Sequence, residues 1–174
     1  MGTIRRQLTL FINEQNTTIE KIRCAFNPIQ YNLIPAHVTL CREDEIEPIE
    51  GTIARIQAIA LEESILINFG AVKRFANKKG VYISSAGNNM AFQQLRKLVL
   101  GQAALEKQQI PHITLMHPRN STCTNQIFEK IKNYKLPAQL EFGKISLIEQ
   151  ENGDKWKLLQ EFEFVKNNPA KDRV

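Results

Sequence analysis

One short phrase occurs twice in this chain. It reads Ile-Pro-Ala-His-Val-Thr-Leu at Ile34–Leu40 and Ile-Pro-His-Ile-Thr-Leu at Ile110–Leu115. Two of the three histidines fall inside it. A given histidine is followed by Thr at the second place and Leu at the third with a chance of roughly 0.005, so two such cases among three are on the order of one in ten thousand by accident. The surroundings repeat as well. His37 and His112 are 75 residues apart, and Phe69 and Phe142, in the similar stretches Ile67–Gly70 and Leu140–Gly143, are 73 apart. Two landmarks at nearly one offset point to an internal repeat.

The hydrophobic pattern gives each half the same order of elements. Arg5–Asn13 alternates, with Leu8, Leu10 and Ile12 on one face, and reads as a strand. A helix follows, with Ile19, Ile22 and Phe26 as its stripe, a capping box from Thr17 to Glu20, and Pro28 as its stop. The first His-x-Thr-Leu strand comes next, then a helix opened by Pro48 with Ile49, Ile53, Ile56 and Ala60 inward, then the strand Ser64–Gly70. In the second half, Gly80–Ser85 is a strand. Asn88 or Asn89 caps a helix carrying Phe92, Leu95 and Val99. The second His-x-Thr-Leu strand leads to a helix with Ile127, Ile131 and Tyr134 inward, and then to one closing strand, Gln139–Glu149. Asn152-Gly153 marks a hairpin turn into a last strand, Lys155–Phe164.

This organisation predicts an α+β fold. Two pseudo-symmetric lobes, each an antiparallel sheet with helices on its outer face, enclose a central cleft. The expected domain covers residues 1–165, with a repeat over about 5–72 and 80–149, a closing hairpin strand over about 155–164, and a flexible tail over 166–174. Lys73–Gly80, with Lys73, Arg74, Lys78 and Lys79, is a basic connector. At 43% hydrophobic and 24% charged, 174 residues suffice for a sizeable core. Cys24, Cys41 and Cys123 form no CxxC pair or disulfide framework, and no leader peptide or apolar span is present, so a cytoplasmic monomer is expected. The +5 charge leans mildly towards an anionic partner.

On a strand, residues i and i+2 share a face. His37 and Thr39 therefore point one way, with Val38 and Leu40 the other, and His112 and Thr114 do the same opposite Ile113 and Leu115. The apolar pair seats each strand in a core and leaves an imidazole beside a hydroxyl on the other face. Two histidines that share a cleft suit general acid/base chemistry on a phosphodiester. One takes a proton from the nucleophile and the other gives one to the leaving alkoxide, while the hydroxyls donate to phosphoryl oxygens. The scheme calls for no cofactor and no metal.

Other residues are weighed beside these. Arg42 and Arg119 follow the two motif strands and are either phosphate contacts at the cleft rim or solvated arginines. His117, at an odd offset from His112, belongs on the opposite face but sits at a strand end, where ligands bind. Tyr82 and Phe11 stack a base or pack in the core. Cys41, four residues after His37, shares the face of His37 on a regular strand. It is a small strand-end residue, a nucleophile or a zinc ligand.

The two motifs, the opening strand, Phe75 before Gly80-Val81-Tyr82-Ile83 and the closing hairpin together resemble the 2H phosphoesterase superfamily, also called the 2′-5′ RNA ligase-like or cyclic phosphodiesterase family, over about residues 5–165. Tyr31–Leu40 and Glu151–Trp156 look most like its small bacterial putative phosphoesterases. The resemblance implies His37 and His112 as the catalytic pair, Thr39 and Thr114 as phosphate holders, and a nucleotide or RNA-end phosphodiester as substrate. Two other classes stay open. One is an RNA- or nucleotide-binding module that uses the cleft without turnover, and the other is a zinc hydrolase built on Cys41.

Overall fold

The computed structural model describes residues 2–13, 17–59, 63–101 and 109–164. Its elements are β1 (Ile4–Phe11), α1 (Thr17–Phe26), α2 (Pro28–Leu33), β2 (His37–Cys41), α3 (Ile49–Ala58), β3 (Ile65–Arg74), β4 (Val81–Ser85), α4 (Met90–Leu100), β5 (His112–Met116), α5 (Asn125–Lys132), β6 (Gln139–Phe142), β7 (Lys144–Glu151) and β8 (Lys157–Glu163). A single 3₁₀ turn, Glu43–Glu45, follows β2.

The expected α+β architecture is present, and its eight strands join in one antiparallel sheet in the order β6-β3-β4-β5-β2-β1-β7-β8. The two motif strands, β5 and β2, are its middle pair. They meet at a single backbone pairing, Val38 with Ile113. Each half of the chain gives its closing strand to the other half's quartet: β3 pairs with β4 and β6, and β7 pairs with β1. The similar stretches Ile67–Gly70 and Leu140–Gly143 thus lie side by side, with Ile67 against Leu140.

The core lies between the sheet and the helices. Leu8 and Leu10, Val38 and Leu40, and Ile113 and Leu115 present the sheet's apolar face. Against it pack Ile19 and Ile22 of α1, Ile49 and Ile56 of α3, Phe92, Leu95 and Val99 of α4, and Ile131 of α5. Each such side chain, fully buried, contributes about 1.5–3 kcal/mol. Asn152 and Gly153 both take positive φ (53° and 82°), as the tight β7–β8 turn demands. Among the described residues no helix is long and apolar enough to cross a membrane.

Several local readings change. Pro28 does not stop the helical run but starts α2 at its first position, where a missing N–H costs nothing. The Glu20 carboxylate accepts from the Ala36 N–H (2.5 Å) and from Arg23 (2.7 Å), while the Thr17 side chain of the expected capping box falls outside those described. Tyr134 lies past the end of α5 and is 40% exposed, so it has left the helix's inward stripe. The stretch expected as one closing strand is two, β6 and β7, divided at Gly143. Ala60 and the tail at 166–174 fall outside the described residues.

Candidate active site

The polar face of the middle strands opens on a cleft of about 690 Å³, lined by His37, Thr39, His112 and Thr114. Because β2 and β5 run antiparallel about Val38–Ile113, His37 stands across from Thr114 and Thr39 across from His112. Each imidazole therefore has one hydroxyl two residues along its own strand and another across the strand boundary.

Both rings are held in the same way. His37 Nδ1 donates to the Pro35 carbonyl (2.8 Å) and His112 Nδ1 to the Ile110 carbonyl (3.1 Å), in each case two residues earlier. A ring nitrogen against a carbonyl carries the proton, so in each neutral ring Nε2 keeps its lone pair. Phe11 sets its edge against His37 (centroids 6.1 Å), and Tyr82 and Phe75 do so against His112 (5.4 and 5.9 Å). Phe11 and Tyr82 thus back the imidazoles and do not line the cleft, whereas Phe75 lines it. Phe75 is positioned by a close approach. A Cβ on Gly80 would lie 2.6 Å from the Met116 carbonyl and 2.8 Å from Phe75, which only glycine avoids.

Burial lowers the pKa of both imidazoles. His37 falls to about 4, chiefly through desolvation, with the Pro35 carbonyl opposing and the charges of Arg23, His112 and His117 adding. His112 is lowered by desolvation, with Arg42 adding. The neighbours are arranged crosswise: His117 and Arg23 act on His37, and Arg42 acts on His112.

That crosswise arrangement comes from two matching β-bulges. Thr9 faces Thr39 while Leu8 faces Cys41, and Tyr82 faces Thr114 while Val81 faces Met116. Each motif strand thus carries one extra residue just after its Thr, which reverses the facing of everything beyond. Cys41 and Met116 turn into the core. Arg42 and His117, each five residues after its motif histidine, turn to the cleft. The expected facings of Cys41 and His117 are therefore both corrected, for one reason. Cys41 is fully buried, its thiol is pushed up to about 12 by desolvation, and it does not line the cleft. His117 lines the cleft, and its Nδ1 accepts from the Arg119 N–H (3.2 Å), so its neutral ring presents an Nε2–H donor. Arg42 and Arg119 are exposed at the rim. Among the described residues no three His, Cys, Asp or Glu side chains gather as metal ligands.

The sequence reading missed several lining residues. Arg5 and Gln7 share the face of β1 opposite Leu8, a placement its alternation already contained. Arg23 comes from α1 with only 1% exposure, and its Nη2 donates to the Ile34 carbonyl (2.6 Å), steadying the loop that holds His37. Its Nε is buried without a hydrogen-bond partner among the described residues. Gln109, just before β5, donates to the Thr39 carbonyl of β2 (2.8 Å). Trp156 reaches the cleft from beyond the β7–β8 turn. The basic connector is largely structural: Lys73 and Arg74 belong to β3, and Arg74 binds Thr124 and Asn125 and lies over the Phe128 ring.

Comparison with known proteins fits this arrangement. The family model described as "2'-5' RNA ligase superfamily" matches residues 12–154. The crystal structure of E. coli LigT complexed with phosphate is similar at 15% identity and a TM-score of 0.65, covering 95% of this chain and all of LigT. LigT complexed with ATP is similar at 14% identity and 0.63, with 95% and 100% covered. A structure described as a phosphoesterase is similar at 13% identity and 0.61, with 94% and 100% covered. No curated protein sequence matches the chain.

Proposed function

The chain belongs to the 2'-5' RNA ligase superfamily, and from that premise we propose that it is a metal-independent phosphodiesterase acting on a 2′,3′-cyclic phosphate or a 2′-5′-linked nucleotide or RNA ester. The observation that carries this reading is the matched fixing of the two imidazoles. With each Nδ1 tied to a backbone carbonyl, both Nε2 atoms are left for a ligand in one cleft, which the hydroxyl-bearing Thr39 and Thr114 also line.

The chemistry follows from those positions. The phosphate sits between the strands and accepts from the two threonine hydroxyls through its non-bridging oxygens. One Nε2 takes the proton of an attacking water or ribose hydroxyl as the new P–O bond forms. The other, protonated, gives its proton to the alkoxide as the old P–O bond breaks. Two neutral imidazoles provide a base but no acid. The bound phosphate supplies what is missing, because its negative charge raises the pKa of the imidazole it faces. LigT structures hold phosphate and ATP, ligands of the same phosphoryl chemistry. The test is a screen of nucleoside 2′,3′-cyclic phosphates and 2′-5′ oligoadenylate in excess chelator, beside the His37→Ala/His112→Ala variant. Turnover lost in that variant supports the reading, and equal turnover in both would end it.

A second reading keeps the ligand and drops the reaction, making the chain a nucleotide- or RNA-binding module. Its support is the cationic rim of Arg42 and Arg119. Saturable, salt-sensitive nucleotide binding with no product from any ester in the screen would favour it.

A further inference from the structure

Trp156 is the chain's one tryptophan, and it packs outside the hydrophobic core. It lines the cleft instead, half-buried. A half-exposed indole on the wall of a cleft offers a large, flat apolar surface on which a ring can stack. The strand order locates that wall. Phe75 stands beside His112 towards β4, whereas Trp156 follows β7, and β7 is two strand spacings, about 10 Å, beyond β2.

The wall is rigid. The Trp156 N–H donates to the Leu33 carbonyl (3.0 Å), the Asn152 N–H to the Thr3 carbonyl (2.9 Å), and Gln150 Nε2 to the Asp154 carbonyl (2.7 Å). The Arg5 guanidinium lies 5.7 Å from the indole centroid, fixed by Glu43 (2.8 Å) and Gln150 (3.4 Å). Beside it Gln7 lines the cleft, and its carboxamide makes no hydrogen bond with any described residue. The neighbouring Gly153 would meet nothing within 4 Å if a Cβ were added, so the space there is open.

We propose that Trp156 and Gln7 form a nucleobase subsite, separate from the phosphate position between the histidines. The indole stacks the heterocycle, a contact available to every base. The Gln7 carboxamide offers one donor and one acceptor group, the complement of a base edge. Arg5 and the anchored turn hold the platform in place before the ligand arrives, so little ordering is required on binding. The subsite rests on the function proposed above only for the phosphate's position, and it makes the base a determinant of affinity.

With one tryptophan, indole emission reports this subsite directly. The His112→Ala chain, whose turnover should be about 10²–10⁴-fold slower, is titrated with adenosine 2′,3′-cyclic phosphate, adenosine and inorganic phosphate. Adenosine and its cyclic phosphate should change the emission saturably, and inorganic phosphate should not. In the active chain, Trp156→Ala and Gln7→Ala should each raise KM for adenosine 2′,3′-cyclic phosphate by roughly 5- to 100-fold. Their kcat should hold, as should KM for ribose 2,3-cyclic phosphate, which has no base. Trp156→Phe should recover most of the loss, and with Gln7→Ala it carries the test if Trp156→Ala does not fold. Nucleotide binding detected by calorimetry with unchanged emission would overturn the subsite, as would an equal KM loss for the base-free ester. If no ester is turned over, the phosphodiesterase reading fails while the emission titration still decides this one. If no nucleotide binds, both fall.

Discussion

Val38 of β2 and Ile113 of β5 are backbone partners across the middle of the sheet, and both side chains are fully buried. This pair fixes the phase of both motif strands. A slip of one residue on either strand would carry its histidine and threonine into the core and its valine or isoleucine into the cleft. The apolar pair therefore determines the diagonal arrangement in which His37 faces Thr114 and His112 faces Thr39. The two imidazoles and the two hydroxyls need no contact with each other to be held in place.

That separation of tasks predicts that chemistry and stability can be removed independently. His37→Ala or His112→Ala should lower kcat on adenosine 2′,3′-cyclic phosphate by about 10²–10⁴-fold. Thr39→Val or Thr114→Val should lower it by about 10²–10³-fold, the usual loss for one donor to a developing oxyanion. Thermal unfolding midpoints should stay near that of the parent chain, because Val38, Leu40, Ile113 and Leu115 keep their burial. Initial rates in chelator and melting curves check both statements. Wild-type rates in the two histidine variants would refute the roles given to them.

Acid should act on rate and on stability through the same imidazoles. His37 lies near 4 and His112 below 6.5, both mainly because burial disfavours the charged ring. A two-histidine reaction is fastest in kcat/KM between the two free-protein values, so its optimum should fall on the acid side of 6.5. The kcat optimum should lie higher, since bound phosphate raises both values. For stability, an imidazole depressed in the native state takes its proton first in the unfolded chain. Its contribution is whole above about 6.5 and is lost as pH falls from 6.5 towards 4. The unfolding midpoint should therefore drop across that window, and by less in His37→Asn. A kcat/KM optimum above 7 would contradict this account.

How far the sequence could be read depended on where the strands stay regular. Alternation correctly placed Leu8, Val38, Leu40, Ile113 and Leu115 in the core, and it set His37, Thr39, His112 and Thr114 opposite them. It failed just beyond the motifs, at Cys41 and at His117, because a bulge adds a residue without any local mark in composition. Arg42 and His117 are counterparts at the same offset, which pairing Arg42 with Arg119 concealed. Arg5 and Gln7 were legible in the period of β1. Trp156 was not, because it reaches the cleft through anchors at Leu33 and Thr3, far away in sequence.

Cysteine chemistry gives a sharp check on the bulge. Cys41 is buried with its thiol pushed up to about 12, and Cys123 is buried and shifted upward, while Cys24 is exposed. Under native conditions at pH 8, a thiol reagent should label Cys24 alone, and all three only after unfolding, because reaction needs both access and thiolate. Cys41→Ala should retain turnover at a modest cost in stability. Fast labelling of Cys41, or loss of activity in Cys41→Ala with the fold intact, would return it to the cleft. Mass spectrometry of the labelled native protein distinguishes the outcomes.

The bulge on β2 also requires support, and Arg96 supplies it. Past Val38 the strand leaves β5, so the carbonyls of Thr39 and Leu40 must find other donors. Gln109 donates to Thr39 (2.8 Å) and Arg96 of α4 to Leu40. Arg96 is 1% exposed and pairs with Glu45 (2.6 Å), which in turn accepts from the Arg42 N–H (2.7 Å). Burial alone would raise the Glu45 carboxyl, but hydrogen bonds from Arg96 and Arg42 and the Arg96 charge hold it below the usual range. Arg96→Met should cost about 3–5 kcal/mol, since it strands a largely buried carboxylate. Arg96→Met/Glu45→Gln should recover part of that loss, because the stranded charge is gone. Neither variant restores a donor to Leu40, so the segment carrying Arg42 should stay displaced. KM for the phosphodiester should therefore remain raised in the double variant even as its resistance to urea returns. Recovery of both together would mean that Arg96 contributes only to stability and does not hold the bulge.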